Sequence, residues 1–302
     1  MNELFEDKGL ILEDKWIKIV NELMPIKELN DSKKKITAEL IKLVENAIMQ
    51  RIQGIDHVGI FFSGGLDSSL IAAICKKHKV RFTCYTVGFQ DGNMEVPEDI
   101  EHAEKVAKFL KLNDYEFKTK IFNLKEAEEI IKKTAKILKG IQENSNINKI
   151  VNIGVGSVEL AAYSISNKEK FFFSGLGSEE LFAGYERHKN NPTNQECFNG
   201  LLKMHQRDLL RDSRISESMN FKFLTPFLDK ELIEYALRIP IKYKINKEGS
   251  KMILRKTALD YLKEYSKRPK KAAQYGSSFD KAISRLAKLN GYKDKISYIN
   301  SI

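Results

Sequence analysis

A glycine turn that carries a carboxylate and several hydroxyl groups is the clearest site of chemistry in this sequence. Residues 63–69 read Ser-Gly-Gly-Leu-Asp-Ser-Ser and follow the apolar run 57–62. Two glycines let the backbone approach an anion, while serine hydroxyl groups and the free N–H groups of a following helix donate hydrogen bonds to it. This arrangement suits a polyphosphate. Asp67 would repel a bound phosphate unless a divalent cation lay between them, so the turn predicts Mg²⁺. The alternative is an ordinary glycine turn capped by Ser or Asp.

A second glycine turn also lies between an apolar run and a helix. Residues 174–185 read Ser-Gly-Leu-Gly-Ser-Glu-Glu-Leu-Phe-Ala-Gly-Tyr and follow the run 171–173. The two acidic residues, Glu179 and Glu180, fall in the first helical turn, where carboxylates complement the helix dipole in any protein. On this ground alone, a structural role and a functional role are both open for them.

The elements that carry the two turns alternate between strand and helix. Strand-like runs cover 57–62, 80–87, 115–122 and 171–174, and helical runs cover 67–78, 98–112, 124–139 and 155–166. This alternation predicts an α/β, Rossmann-like fold with a parallel sheet, helices on both faces and ligands at the carboxyl ends of the strands. Both turns lie at such ends. Val87 and Phe62 would line an adenine pocket there or pack in the core.

The regions on either side of this core have helical patterns. Two helices are predicted between 8 and 53, the first stopped by Pro25 and the second capped by Asp31 or Ser32. The polar, then glycine-rich stretch 140–157 is predicted as a connection or a substrate-side loop. Strand patterns end after about residue 190. We therefore expect an N-terminal helical segment (1–54), an α/β core (55–190) and a helical, basic C-terminal part (191–302).

The composition shows no membrane or secretory signal. The 302 residues contain no run of 18 apolar residues, and the start Met-Asn-Glu-Leu lacks the basic and apolar regions of a signal peptide. We expect a cytoplasmic protein that does not enter membranes. Three cysteines without Cys-x-x-Cys spacing predict buried, reduced thiols, and five histidines never pair at ligand spacing, so no zinc site is expected.

The formal charge of +10 is concentrated near the C-terminus. Between Lys242 and Lys295, 16 Lys or Arg residues stand against 5 Asp or Glu, a surplus of 11. Such a surplus attracts a polyanion, which would be ATP and pyrophosphate or a nucleic acid. A lysine-rich solvated surface is the alternative.

Both turns resemble known signatures. The first is similar to the loop of the PP-loop ATP pyrophosphatases, which cleave ATP to AMP and pyrophosphate, and it lacks the Gly-x-x-x-x-Gly-Lys pattern of proteins that transfer the γ-phosphate. The second closely resembles the Ser-Gly-x-Gly-x-Asp-Glu-Leu-Phe-x-Gly-Tyr signature of asparagine synthetases. Blocks at 226–229, 251–255 and 268–270 look like further parts of that family in the same order. The resemblance therefore covers most of the chain.

The resemblance implies an AMP-forming amide ligase. A substrate carboxylate attacks the α-phosphorus of ATP, giving an acyl-adenylate and pyrophosphate, and ammonia or another amine then displaces AMP. By the same resemblance, Asp67 and Glu179 would hold Mg²⁺, and Leu176 occupies a substrate-specificity position. With the two candidate adenine contacts included, the residues expected to bind ATP or pyrophosphate are Ser63, Gly64, Gly65, Asp67, Ser68, Phe62, Val87, Ser174, Gly175 and Lys251.

Three residues are the catalytic candidates that the resemblance suggests. Lys270 aligns with the family lysine that stabilises the transition states of adenylation and amide formation, and a cationic point charge suits that role. Lys271 is the fallback, and Glu180 is the acidic candidate. Lysine at both positions is equally compatible with surface charge.

Three departures from the family pattern bear on the substrates. Only about 55 residues precede the first turn, and Asn2 follows Met1, so we expect no glutaminase domain with an N-terminal cysteine. Nitrogen would come from solution or from a partner, such as a separate amidotransferase or carrier, and a homodimer is compatible with the sequence. Glu179 stands where Asp is usual. Leu176 replaces an acidic or amide residue, and Lys222 and Leu224 replace Glu and Arg, which argues against aspartate as the substrate.

Two other functions stay open. A PP-loop enzyme that adenylates a tRNA or nucleobase carbonyl would use the basic C-terminal part for the phosphate backbone. Against this, the sequence has no cysteine pair for sulfur delivery and no aromatic-interleaved RNA module. The other is a nucleotide-binding regulator without catalysis, against which the presence of Asp67, Glu180 and Lys270 argues.

Overall fold

Five parallel strands form the central sheet of the computed structural model, which describes residues 5–6, 9–24, 27–141, 145–269 and 271–302. An antiparallel pair, β1 (Phe5–Glu6) and β2 (Gly9–Leu10), lies outside it. The sheet strands are β3 (Val58–Phe61), β4 (Phe82–Phe89), β5 (Phe117–Phe122), β6 (Phe171–Phe173) and β7 (Lys222–Leu224). Their order across the sheet is β5-β4-β3-β6-β7. The predicted α/β class with a parallel sheet is confirmed.

Helices connect and cover these strands. Those in the first part of the chain are α1 (Glu13–Glu22), α2 (Lys33–Arg51), α3 (Leu66–Lys77), α4 (Glu98–Phe109), α5 (Leu124–Leu138), α6 (Asn146–Ser164), α7 (Ser178–Leu181), α8 (Glu186–Asn190) and α9 (Asn194–Leu202). The rest are α10 (Leu210–Met219), α11 (Lys230–Arg238), α12 (Ile241–Lys244), α13 (Met252–Thr257), α14 (Leu259–Leu262), α15 (Ala273–Gly276), α16 (Phe279–Leu289) and α17 (Lys295–Ser301). Short 3-10 turns lie at Pro226–Leu228 and Lys263–Lys267, and a π-helical turn at His205–Leu209 precedes α10.

The sheet is buried on both faces. Along β6, Phe173 packs in a core shared with α2 and α3, whereas Phe172 packs in a second core shared with α5 and α16. Successive side chains of a strand point to opposite faces, so a short, wholly aromatic strand can serve both cores. This explains why 171–173 shows no apolar–polar alternation.

The strand order places the two glycine turns side by side. From β3 the chain adds β4 and β5 on one side, and then crosses to add β6 and β7 on the other. Ile60 pairs with Phe173, so the carboxyl ends of β3 and β6 lie at the same edge of the sheet. The point where the order reverses is where open parallel sheets bind ligands.

The four predicted strands are all present, whereas the expectation that strands end near residue 190 is wrong. The strand β7 contains three residues and pairs with β6 along its whole length. So short a strand, placed between helical stretches, carries too little periodicity to be recognised. The domain boundaries at 54 and 190 stay a prediction.

The predicted connection at 140–157 is mostly helix, which corrects the sequence interpretation. The helix α6 begins at Asn146, and its cap residue Ser145 accepts a hydrogen bond from the N–H of Asn148. Gly154 lies inside this helix, where the side chain of Gln274 packs against it: a Cβ there would lie 2.9 Å from the Cβ of Gln274. Residues 142–144 of the predicted connection lie outside the described residues.

Several smaller expectations can be compared directly with the structure. Ser32 caps α2 by accepting a hydrogen bond from the N–H of Lys35, while Pro25, the predicted stop of the first helix, lies outside the described residues. The cysteines are buried and unpaired, as predicted. Within the described part of the chain, no helix is both long and apolar enough to cross a membrane.

Candidate active site

A cavity of about 430 Å³ opens at the carboxyl edge of the sheet, where the two glycine turns meet. One wall consists of the first turn and the end of β4, and another of the second turn, residues 174–176. The rest of the lining comes from the helix α6, the π-helical turn with the start of α10, residues 271–274, and the side chains of Asp99, Tyr185 and Arg187. The cavity therefore contains most of the residues that the sequence singled out: Phe62, Ser63, Gly65, Asp67, Ser68, Val87, Ser174, Gly175, Leu176 and Lys271.

The first turn has the geometry of an anion site. The helix α3 begins within it at Leu66, directly after the two glycines, so the N–H groups at the start of the helix face the edge of the sheet. Gly64 has φ +66° and lies so close to α4 that a Cβ would be 2.5 Å from the backbone nitrogen of Ala103. The hydroxyl group of Ser63 accepts a hydrogen bond from the N–H of Gly65 at 3.2 Å, which fixes the turn.

The second turn touches the first. A Cβ on Gly175 would lie 2.8 Å from the Cβ of Asp67, so glycine is needed for this close approach. The hydroxyl group of Ser178 donates a hydrogen bond to Oδ1 of Asp67 at 2.6 Å. Ser174 accepts a hydrogen bond from the N–H of Leu176, whose half-buried side chain lines the cavity. Residues 111 positions apart thus form one continuous surface.

Two carboxylates converge on one buried cation. Nζ of Lys251 lies 2.7 Å from Oδ2 of Asp67 and 2.6 Å from Oε1 of Glu179. Burial alone would lower the pKa of Lys251, but the two carboxylates outweigh it and the pKa is raised. The two candidate metal ligands therefore lie close together, with the ammonium group of Lys251 between them, and their role in binding a metal ion stays a prediction.

The residues present fit a Mg²⁺ ion whose remaining coordination positions are filled by phosphate oxygens and water. In the described ranges, no cluster of three or more His, Cys, Asp or Glu could enclose a metal ion. Mg²⁺ commonly takes one or two carboxylates, with phosphate oxygens and water in its other positions. Asp67 and Glu179 can supply the carboxylates, and Lys251 would then turn its charge to the phosphate.

Arg268 stabilises the first turn. The sequence alone gives this residue no role of its own. Its guanidinium donates hydrogen bonds to the carbonyl oxygen of Ser63 and, at 2.6 Å, to Oδ1 of Asp99. Burial raises the pKa of Asp99 to about 6, against the effect of Arg268. Lys271 lines the cavity and pairs with Glu98. Lys270 lies outside the described residues, so its catalytic role stays a prediction.

The two candidate adenine contacts belong both to the hydrophobic core and to the wall of the cavity. Phe62 and Val87 are buried and line the cavity. The hydroxyl group of Thr86 donates a hydrogen bond to the carbonyl oxygen of Phe62, which ties the end of β4 to the first turn. Core packing and an apolar wall for a base are compatible roles for the same side chains.

The adjacent Glu179 and Glu180 point to different places. Glu179 reaches Lys251, whereas Oε1 of Glu180 lies 2.6 Å from Nη2 of Arg207. Burial raises the pKa of Glu180, and Asp208 adds to the effect. Glu180 therefore contacts the cavity through Arg207, which is part of its lining.

A charged cluster that sequence reasoning missed forms another part of the wall. Its members are Glu159, Glu180, Arg187, Arg207, Asp208, Arg211 and Asp212. The signal in the sequence is the repeat Arg-Asp-Leu-Leu-Arg-Asp at 207–212, which places like charges four residues apart on a helix. The π-helical turn at His205–Leu209 lies within this repeat, and such turns are frequent at functional sites.

The fold and the site define a class: a parallel α/β protein in which two glycine turns and the carboxylate of Asp67 face a cavity at the switch point of the sheet. The sequence profile described as asparagine synthase matches residues 39–201 and 190–291. This chain belongs to the asparagine synthase family.

The alignments with individual relatives cover most of this chain but only about half of each relative. A protein of Methanocaldococcus jannaschii named as a glutamine-hydrolysing asparagine synthetase is 32% identical over an alignment of 314 positions, gaps included, which covers 89% of this chain and 55% of the relative. The glutamine-hydrolysing asparagine synthetase of Rattus norvegicus is 32% identical over 244 residues, which cover 78% of this chain and 42% of the relative. The chain thus spans about half the length of these relatives. The solved NMN synthetase of Francisella tularensis is 12% identical over 80% of this chain and 98% of its own, with a TM-score of 0.33.

Proposed function

We propose that this protein activates a carboxylate with ATP, as an acyl-adenylate, and transfers the acyl group to ammonia or another amine to form an amide. The observation that supports this best is the convergence of Asp67 and Glu179, from two separate turns, on the cation of Lys251. A polyphosphate site needs positive charge to bind the phosphates and carboxylates to hold their metal ion. Both are present at the edge where a parallel sheet binds ligands.

Each part of the cavity has a place in this reaction. The first turn and the N-terminus of α3 would bind the β- and γ-phosphates, with Ser63 and Ser68 as hydroxyl donors. Ser174 and Gly175 would contact the α-phosphate, at which the substrate carboxylate attacks as pyrophosphate leaves. A bound Mg²⁺ ion, held by Asp67 and Glu179, would offset the charge that develops on the phosphate oxygens. Phe62 and Val87 would pack against the adenine.

The products of ATP cleavage test the reaction type. With a productive carboxylate and amine, we expect AMP and pyrophosphate, because a glycine turn of this type lacks the lysine of proteins that transfer the γ-phosphate. Product analysis by ion-exchange chromatography over a panel of acids and amines, with tRNA as one member, measures this. Formation of ADP and phosphate would contradict the proposal, and turnover with tRNA alone would favour a base-modifying enzyme.

Replacing Lys270 by alanine should lower turnover by about a hundredfold or more, which is the effect of removing one charge contact to a transition state. Binding of ATP should change little, because the first turn and Lys251 are intact. Lys271→Ala is the matched control, since it removes a neighbouring lysine that pairs with Glu98. If Lys271→Ala shows the large defect and Lys270→Ala does not, the assignment of the two lysines is reversed.

A further inference from the structure

Asp99 is a buried carboxylate in the lining of the cavity that the proposed reaction does not use. It lies in the first turn of α4 and is 4% exposed, and its Oδ1 atom packs against Gly276, where a Cβ would lie 2.3 Å away. Oδ1 accepts a hydrogen bond from Nη2 of Arg268 at 2.6 Å, and both side chains are buried. A charge pair so well shielded from water depends on both partners, because either one alone would be a buried, unpaired charge.

Arg268 uses the other end of its guanidinium for the first turn. Nη1 donates a hydrogen bond to the carbonyl oxygen of Ser63, the residue at which the turn begins. The planar guanidinium fixes the directions of its donors relative to one another, so the position of Asp99 determines where Nη1 points. Asp99 and the backbone at Ser63 are thus coupled through a single rigid group.

Arg255 continues the same series of contacts. Its Nη1 atom donates to the carbonyl oxygens of Arg268 and Ser266, both at 2.8 Å, and its Nε atom donates to the carbonyl oxygen of Ser250 at 2.9 Å. Ser250 directly precedes Lys251, whose φ of +56° lies in the left-handed region that a lysine rarely adopts. The three carbonyl contacts therefore connect the backbone at Lys251 to the segment that carries Arg268.

We propose that Asp99 is a positioning residue for ATP binding: it orients Arg268, and Arg268 and Arg255 together hold the first turn and the backbone at Lys251 in the arrangement that accepts the polyphosphate. The first turn supplies N–H donors to the phosphates, so a shift of the backbone at Ser63 moves those donors. Both arginines act through backbone carbonyl oxygens, so Asp99 has an effect on the nucleotide without touching it. This inference rests on the proposed function, in which ATP is the ligand of the first turn.

The charge of Asp99 can be changed by pH alone. Burial raises the pKa of Asp99 to about 6; Arg268 opposes this effect, as Lys271 does, and Glu98 adds to it. As the pH falls through about 6, Asp99 takes up a proton and the charge pair is lost, whereas the pair is intact at pH 8. His102 also lies near Arg268, and burial, together with Arg268, lowers the pKa of this histidine.

Nucleotide binding at different pH values tests the inference without turnover. Titration calorimetry with the whole protein, Mg²⁺ and α,β-methylene-ATP compares the wild type with Asp99→Asn, which keeps the size of the side chain and one oxygen acceptor. We expect the variant to bind about tenfold more weakly at pH 8, as for the loss of a hydrogen bond between charged groups, and equally at pH 5, where neither protein has the charge. The ratio of the two affinities is compared at each pH, so the titration of the nucleotide itself cancels. A ratio that stays constant from pH 5 to pH 8 would overturn the inference.

Two further variants show whether the effect arises at Asp99. Glu101→Gln is the matched control, since it removes a negative charge from an exposed residue of α4 that pairs with Lys105, and it should leave the affinity unchanged at both pH values. His102→Gln should keep the pH dependence of the wild type. A change between pH 5 and pH 8 that disappears in His102→Gln and persists in Asp99→Asn would assign the titration to the histidine, against the inference.

A double-mutant cycle distinguishes positioning from direct contact. If Asp99 acts through Arg268, the double variant Asp99→Asn/Arg268→Gln should bind the nucleotide no more weakly than Arg268→Gln alone. Multiplication of the two single effects would mean that Asp99 contacts the nucleotide itself, which would contradict the positioning role. Circular dichroism checks that each variant is folded. If Arg268→Gln does not fold, Arg268→Lys takes its place, because lysine keeps the charge and lacks the planar fork that reaches both Ser63 and Asp99.

The same measurements separate this inference from the proposed function. The expected change of the affinity ratio with pH, together with cleavage of ATP to ADP and phosphate, would refute the ligase and leave the positioning role standing. AMP formation together with a constant affinity ratio would keep the ligase and refute the positioning role.

Discussion

Asp67→Asn should lower the rate of AMP formation by about a thousandfold or more, the largest effect of any single substitution considered for this protein. Asp67 serves three contacts at once: Ser178 donates to Oδ1, Lys251 pairs with Oδ2, and Gly175 packs against its Cβ. Asparagine keeps the size and an oxygen for Ser178, so the turn should keep its shape. The variant loses the charge that would hold Mg²⁺ against the phosphates.

The dependence on Mg²⁺ shows whether charge is the cause. Raising the Mg²⁺ concentration should partly restore the rate of Asp67→Asn, because Glu179 remains as a weaker single carboxylate. Asp56→Asn is the control, since Asp56 is an exposed carboxylate that pairs with Arg81 on the surface. Turnover of Asp67→Asn at the wild-type rate, with the same Mg²⁺ dependence, would remove Asp67 from the metal site.

The sequence predicts those features of the site that are determined by residues close together in the chain. The turn around Asp67 is specified by neighbouring residues: an apolar strand, two glycines and a helix start occur within twelve positions and leave few conformations open. The same holds for the second turn. That both turns lie at the same edge of the sheet also follows, because parallel strands all end at one edge. Their side-by-side position does not follow, because it depends on the strand order, in which β6 pairs with β3.

The contacts that give the site its electrostatics are not local. Lys251 meets Asp67 across 184 positions, and Arg268 meets the carbonyl oxygen of Ser63 across 205 positions. No periodicity encodes such pairs. The sequence also does not show where the side chains of Glu179 and Glu180 point. Adjacent helical residues point to different sides, and the packing of other helices decides which side faces the cavity.

Helix α6 shows how a strong local signal can mislead. Polar residues followed by Gly154 and Gly156 are typical of a connection, yet both glycines are inside a helix that packs tightly on its neighbours. Tertiary packing outweighed the intrinsic preference of glycine for turns.

L-Aspartate should be a poor substrate, with a specificity constant lower by at least about a hundredfold than that of the best acid in the panel. Leu176 directly follows the turn that touches Asp67, so the amino group of so short a substrate would lie beside an apolar side chain. An ammonium group without a partner in a partly desolvated pocket is strongly disfavoured. Arg211, one of the arginines that line the cavity, is not free for the second carboxylate of aspartate, because it is already paired with Asp208 and Asp212.

Substitution at Leu176 tests this reasoning through pyrophosphate release with aspartate, ammonia and ATP. Leu176→Glu should raise the rate with aspartate, because the new carboxylate can accept its ammonium group next to the reacting centre. Leu176→Met, which keeps an apolar side chain of similar volume, should stay at the wild-type level. Efficient formation of asparagine by the wild-type protein would show that neither Leu176 nor the pairing of Arg211 excludes aspartate.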